Sequence, residues 1–128
     1  MRVYYEDTDA AGVVYYANYL KFMERARTEW LRHLGFDQTR LAAESGVVFV
    51  VRALAVEYLR PALFNDLIEV DVEPITVRGS LIEFAQSVKR GSETLITAQV
   101  KVTCVNTQSW KPVRIPKHIL ESLRVEDL

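Results

Sequence analysis

A single stretch of this chain repeats its apolar residues at helical spacing over several turns. Between Asn18 and Leu34, Tyr19, Phe22, Met23, Ala26, Trp30 and Leu34 recur on one side. Lys21, Arg25, Glu29 and Arg32 occupy the other, and Gly35 suits the residue that closes a helix. Downstream the period falls to two and stays there. Ile68, Val70 and Val72 alternate with Glu69 and Asp71, and Pro74 is expected to disturb the end of that strand. Ile82, Phe84 and Val88 alternate with Glu83, Ser87 and Lys89. Ile96, Ala98, Val100, Val102 and Cys104 alternate with Thr97, Gln99, Lys101 and Thr103. Arg78-Gly79-Ser80 and Gly91-Ser92 are hairpin-length turn signals, so these strands predict an antiparallel meander.

One helix must therefore serve a whole sheet. Ahead of the meander, Val47 to Val51 is β-forming and apolar on both sides, and the strand continues to Tyr58 before Arg60-Pro61 stops it. Both its faces need cover, or its edge must meet another chain. Arg2-Val3-Tyr4-Tyr5 reads as a further short strand. A helix cannot cover both faces of a five-stranded sheet. The predicted arrangement is α+β: a five-stranded antiparallel sheet wrapped around one long central helix. Phe36 to Ser45 forms a short second helix with Asp37 as N-cap and Gly46 as terminator. The tail Lys111 to Pro116 is extended, and a short, charged last helix, Lys117 to Leu123, is expected at the surface.

Composition narrows the partners. At 128 residues, a single domain spanning 1–128 is predicted, and burial against a second chain would help a domain of this size. Net charge is -1 with no basic run, which argues against nucleic acid. No apolar stretch approaches the roughly 20 residues that cross a bilayer. No secretory leader pattern is visible, and Met1 leads almost directly into the first strand, which points to a shortened N-terminus. The single cysteine, Cys104, allows no intrachain disulfide and fits the reducing cytoplasm. It falls in the apolar series of its strand and reads as a buried structural thiol. His33 and His118 lack metal-ligand spacing, and neither a Gly-rich phosphate loop nor a nucleophile elbow is present. No metal or cofactor is expected.

The chemistry concentrates in Arg2 to Tyr19. Acidic residues Glu6, Asp7 and Asp9 precede Ala10, Ala11 and Gly12, then Val13 to Tyr16, then the start of the long helix. A carboxylate held beside free backbone N–H groups at a helix N-terminus is a usable catalytic pair. The same residues also suit plain helix capping.

These residues carry a resemblance. Arg2, Val3, Thr8, Asp9, Gly12, Val13, Val14, Tyr15, Asn18 and Tyr19 fit the signature of the 4-hydroxybenzoyl-CoA thioesterase family of hotdog folds. The segments ERARTEWLR, VEYLRPALFNDLIEV and KPVRIPK resemble the YbgC-type acyl-CoA thioesterases associated with the Tol–Pal envelope system. The resemblance implies hydrolysis of an acyl-CoA to a free acid and CoA. It places the catalytic carboxylate on Asp9 and the oxyanion contact on the backbone N–H of Tyr16. Tyr16 stands where YbgC-type proteins often carry His. Asp7 is left a structural role. Substrate contacts are implied at Tyr5 and Gly12, with Arg78, Ser80 and Arg114 at the CoA phosphates. Glu24 and Glu29 are read as a solvated helix face, although some thioesterases place their carboxylate on such a helix.

The resemblance further implies a homodimer or homotetramer with sites between chains. Acyl carrier protein and envelope-linked proteins are further partner classes. The rival reading is a non-catalytic module that binds acyl-CoA or acyl carrier protein, which would need the pocket but not Asp9. Another hotdog chemistry, dehydration, would want a His that the signature lacks. Phe49, Phe64 and Phe84 line a pocket or fill the core.

Overall fold

The computed structural model describes residues 1–9, 14 and 16–127. The long helix α1 runs from Tyr16 to His33 and the short helix α2 from Gln38 to Ser45. Asp37 caps α2 by accepting from Thr39 N and Arg40 N, and Gly46 closes it in the left-handed region at φ 65°. Four strands follow: β1 Val47–Tyr58, β2 Glu69–Arg78, β3 Leu81–Arg90 and β4 Glu93–Asn106. The last helix, α3, spans Lys117–Asp127.

All neighbouring strands are antiparallel, in the order β1-β4-β3-β2. The period-two reading of β3 and β4 holds over most of both strands, but not at Thr103, which was expected on the outer face and is buried. Ile82, Phe84 and Val88 are buried, as are Ile96, Ala98, Val100, Val102 and Cys104, whereas Thr97, Gln99 and Lys101 are exposed. The apolar stripe of α1, with Tyr19, Phe22, Met23 and Leu31 buried, lies on that inner face. Trp30 meets Phe84 edge-on, with ring centroids 5.2 Å apart.

Three further expectations need correction. The described sheet has four strands, not five. Arg2 forms only an isolated bridge to Leu67, and Tyr5–Asp7 turns into a 3-10 helix. The Asp7 carboxylate accepts from Tyr4 N at 3.0 Å, and this local bond competes with a strand ladder. Pro74 disturbs its strand as expected, but at the middle of β2 rather than at its end. β2 lies at the sheet edge, so the missing N–H is tolerated, and the register shifts between Pro74 and Thr76 while the strand continues to Arg78. Finally, α3 is not a surface helix, because Ile119 and Leu123 are fully buried in the common core.

Candidate active site

Asp9 is half-buried and directly follows Thr8, which bridges to Val14. Thr8 Oγ1 donates to Tyr5 O at 2.6 Å, and the Asn18 amide donates from the first turn of α1 to Asp7 O at 2.9 Å. The acidic segment is thereby tied to the helix that begins at Tyr16. Gly12 lies outside the described residues. Tyr5 belongs neither to a strand nor to the core: it is 76% exposed and meets Phe64 edge-on at 6.0 Å.

A loop after β1 holds this arrangement, and its role was not visible in the sequence motif. Ala62 O accepts from Val14 N at 2.9 Å, and the buried Ala62 N–H donates to the Tyr19 hydroxyl at 2.7 Å. Burial raises the Tyr19 hydroxyl pKa above its ordinary value, against the lowering effect of that N–H. Asn65 N donates to Val3 O, and Val3 N donates to Asp66 O. Asp66 in turn accepts from Leu63 N at 2.8 Å and from Arg90 at 2.6 Å. Burial pushes the Asp66 carboxyl up, but the Leu63 N–H and the Arg90 guanidinium outweigh it and hold it below the ordinary carboxylate range. Arg90 also pairs with Glu93, which Arg60 meets from the other side.

Arg78, Ser80 and Arg114 come together elsewhere. Gly79, at φ 62°, closes the β2–β3 turn, and its carbonyl accepts from Ile115 N at 2.9 Å. Ser80 O accepts from Cys104 N, and Cys104 O accepts from Val113 N, so the tail carrying Arg114 lies against the turn. Arg78 and Arg114 are both exposed. This turn stands at one end of β3, whereas Arg90, which contacts Asp66 and Pro61 O, stands at the other. β3 has 10 residues. At about 3.3 Å per residue its ends lie about 30 Å apart. Within one chain, Asp9 and the cation cluster are on opposite ends of the sheet.

A cavity of about 320 Å³ opens between the C-terminal half of α1 and the start of β1. Phe49 and Phe84 line it, with Trp30, Leu31, Val51 and Ile82, while Phe64 does not. Glu24, Arg27 and Thr28 supply its polar wall. Its lining does not include Asp9. Cys104 takes no part: it is fully buried, and burial pushes its pKa up to about 11, which suits a structural thiol. Among the described residues, no cluster of side chains could hold a metal ion.

Comparison with known proteins agrees with this architecture. Residues 3–123 match the family model of the thioesterase-like superfamily. The chain is 50% identical over 119 residues to the acyl-CoA thioesterase YbgC of Haemophilus influenzae, covering 93% of this chain and 88% of that protein. It is 47% identical over 125 residues to the acyl-CoA thioester hydrolase YbgC of Escherichia coli O157:H7, covering 97% and 92% respectively. A probable thioesterase from Bartonella henselae superimposes with a TM-score of 0.84 at 39% identity, over 91% of this chain and 95% of that one. The chain belongs to the thioesterase-like superfamily. Within it, the likeness to YbgC acyl-CoA thioesterases extends over nearly the whole length, as the segments quoted from the sequence imply.

Proposed function

We propose that the protein hydrolyses acyl-CoA thioesters to a free carboxylic acid and CoA, with Asp9 and the first amides of α1 at the reacting carbonyl. The observation that carries this reading is the attachment of the acidic segment to the start of α1, through the Thr8–Val14 bridge and the Asn18–Asp7 hydrogen bond. The Tyr16 N–H, at the first helical residue, polarises the thioester oxygen. Asp9 then either attacks the carbonyl carbon, expelling the CoA thiolate and leaving a mixed anhydride for water to cleave, or takes the proton from an attacking water. By the family resemblance, Gly12 and Tyr5 contribute to substrate binding. Arg78, Ser80 and Arg114 hold the CoA phosphates.

The separation between Asp9 and these cations supports a site shared by two chains. β1 is an edge strand, and Val51 and Leu54 on it are exposed at 50% and 41%. Two copies joined edge to edge along β1 in antiparallel fashion are related by a two-fold axis, which sets their α1 helices antiparallel. The N-terminus of each helix then lies beside the C-terminal half of the other, where the cavity opens. Asp9 of one copy thus serves the cavity of its partner, and a homodimer is the smallest working unit. The free thiol of Cys104 suits a reducing compartment such as the cytoplasm.

Asp9→Asn tests the chemistry. It is expected to lower kcat on the order of a hundredfold or more while acyl-CoA still binds. If wild type and variant are equally inert and both bind acyl-CoA, the protein is a binding module instead. Single turnover in heavy-oxygen water separates the two routes, because label enters the Asp9 carboxylate only if it is the nucleophile.

A further inference from the structure

Asp9 lies in neither a helix nor a strand. The bonds that fix its segment on either side converge on one short loop, Ala62 to Ile68. Ahead of Asp9, Val3 N donates to Asp66 O at 2.9 Å and Val3 O accepts from Asn65 N at 3.0 Å. After it, Val14 N donates to Ala62 O at 2.9 Å. The loop itself is poorly anchored by packing. Ala62 and Ile68 at its ends are fully buried, but Leu63, Phe64 and Leu67 between them are exposed. A segment with so few buried contacts opens easily unless something else holds it.

One side chain ties the loop to the sheet. Arg90, the last residue of β3, reaches both of its ends: Nη1 donates to Asp66 Oδ2 at 2.6 Å and to Pro61 O at 3.5 Å. The same Asp66 oxygen accepts from Leu63 N at 2.8 Å, which closes the loop on itself. Arg90 is fixed in turn by Glu93, its ladder partner across the β3–β4 turn, whose Oε1 accepts from Arg90 Nε at 3.1 Å. The Arg90 and Asp66 side chains are 30% and 21% exposed, so their pair is partly shielded from water, whereas Arg60, on the other side of Glu93, is 65% exposed. We infer that Arg90 is a positioning residue for the reaction: it pins the Ala62–Ile68 loop and through it sets Asp9 against the first amides of α1. The inference rests on the thioesterase reading and adds a residue that acts through the loop, not on the substrate. Reacting atoms must meet at about 3–3.5 Å, and a misplacement of about 1 Å costs up to about a hundredfold in rate. The cavity and the cations at the far end of β3 set binding, so the loss falls on kcat and spares KM.

The test compares wild type, Arg90→Met, Arg90→Lys and Arg60→Met, well below the melting temperature of each. The substrate is whichever of acetyl-, octanoyl- and benzoyl-CoA the wild type turns over fastest. Arg90→Met is expected to lower kcat by about tenfold to a hundredfold, with KM moved by about twofold or less. Arg90→Lys keeps the charge but not the planar donor set, and its kcat is expected to fall between the two. Arg60→Met breaks only the outer pair of the same network and is expected to keep kcat within about threefold of wild type. The inference is overturned by a folded Arg90→Met whose kcat falls less than about threefold, by a loss that sits in KM, or by an equal loss in Arg60→Met. If Arg90→Met does not fold, Arg90→Lys decides by the same criteria. If the wild type hydrolyses none of the esters, the thioesterase reading fails separately, and amide hydrogen exchange decides on Arg90. Exchange at Val3 and Val14 faster by about tenfold or more in the Arg90 variants, and unchanged in Arg60→Met, upholds the pin, and unaltered exchange in the Arg90 variants overturns it.

Discussion

At the scale of single residues, two buried or shielded contacts frame the candidate site. The Ala62 N–H has no solvent to turn to, since Ala62 is fully buried, and the Tyr19 hydroxyl is its acceptor. Tyr19→Phe leaves that N–H unpaired at a cost of about 1–3 kcal/mol, read as a fall in Tm of about 4–11 °C in a thermal melt. The second contact titrates. Arg90 and Arg60 hold Glu93 below the ordinary carboxylate range, and Arg90 with the Leu63 N–H does the same for Asp66. A carboxylate with a lowered folded-state pKa binds fewer protons folded than unfolded. Its contribution is present in full above the ordinary value of about 4 and is lost as pH falls through the lowered one. Tm of the wild type should therefore drop below about pH 4 more steeply than that of Asp66→Asn. At pH 7 the variant should melt lower by about a few degrees, with the gap narrowing toward pH 3. A gap that stays constant across melts from pH 7 to pH 3 would remove Asp66 from this role.

At the scale of elements, legibility followed the strength of the periodic signal. The helix from Tyr16 to His33 and strands β3 and β4 could be read because their apolar residues repeat at a steady period over most of their lengths, although the buried Gln86 interrupts the inner face of β3. The first segment misled because Arg2 to Tyr5 alternates like a strand, while the deciding bond, from Tyr4 N to the Asp7 carboxylate, is local and leaves no periodic trace. In α3 the two inward residues, Ile119 and Leu123, stand one turn apart among charged neighbours, so its charges dominated the reading. That helix is part of the core. Leu123→Ala is expected to cost about 2–5 kcal/mol, measured by urea unfolding, far more than any surface helix position would. The site was legible in part. Asp9 and the start of α1 share one motif and are adjacent, whereas the Ala62 loop and Arg27 reach the site only through long-range contacts with Val14, Tyr19 and Gln86.

At the scale of the whole molecule, the question is which chain's cavity serves which chain's Asp9. Asp9 adjoins the helix start, while the cavity lines residues from Glu24 to Leu31 of the same helix. At about 1.5 Å per residue these lie about 12–22 Å further along the axis. A two-fold pair along β1 removes the separation by bringing the partner's helix start to the cavity, and mixing two inactive variants makes this measurable. Asp9→Asn removes the carboxylate. Thr28→Trp fills the cavity, because Thr28 is one of its wall residues. Each variant alone should be nearly inactive. After unfolding and refolding together, about half of random dimers contain one chain of each kind, and in a shared-site dimer one of their two sites has both parts intact. Activity should recover to about a quarter of wild type. If each site were built within one chain, every site in the mixed dimer would still carry one lesion, and the refolded mixture would show no more activity than the separate variants.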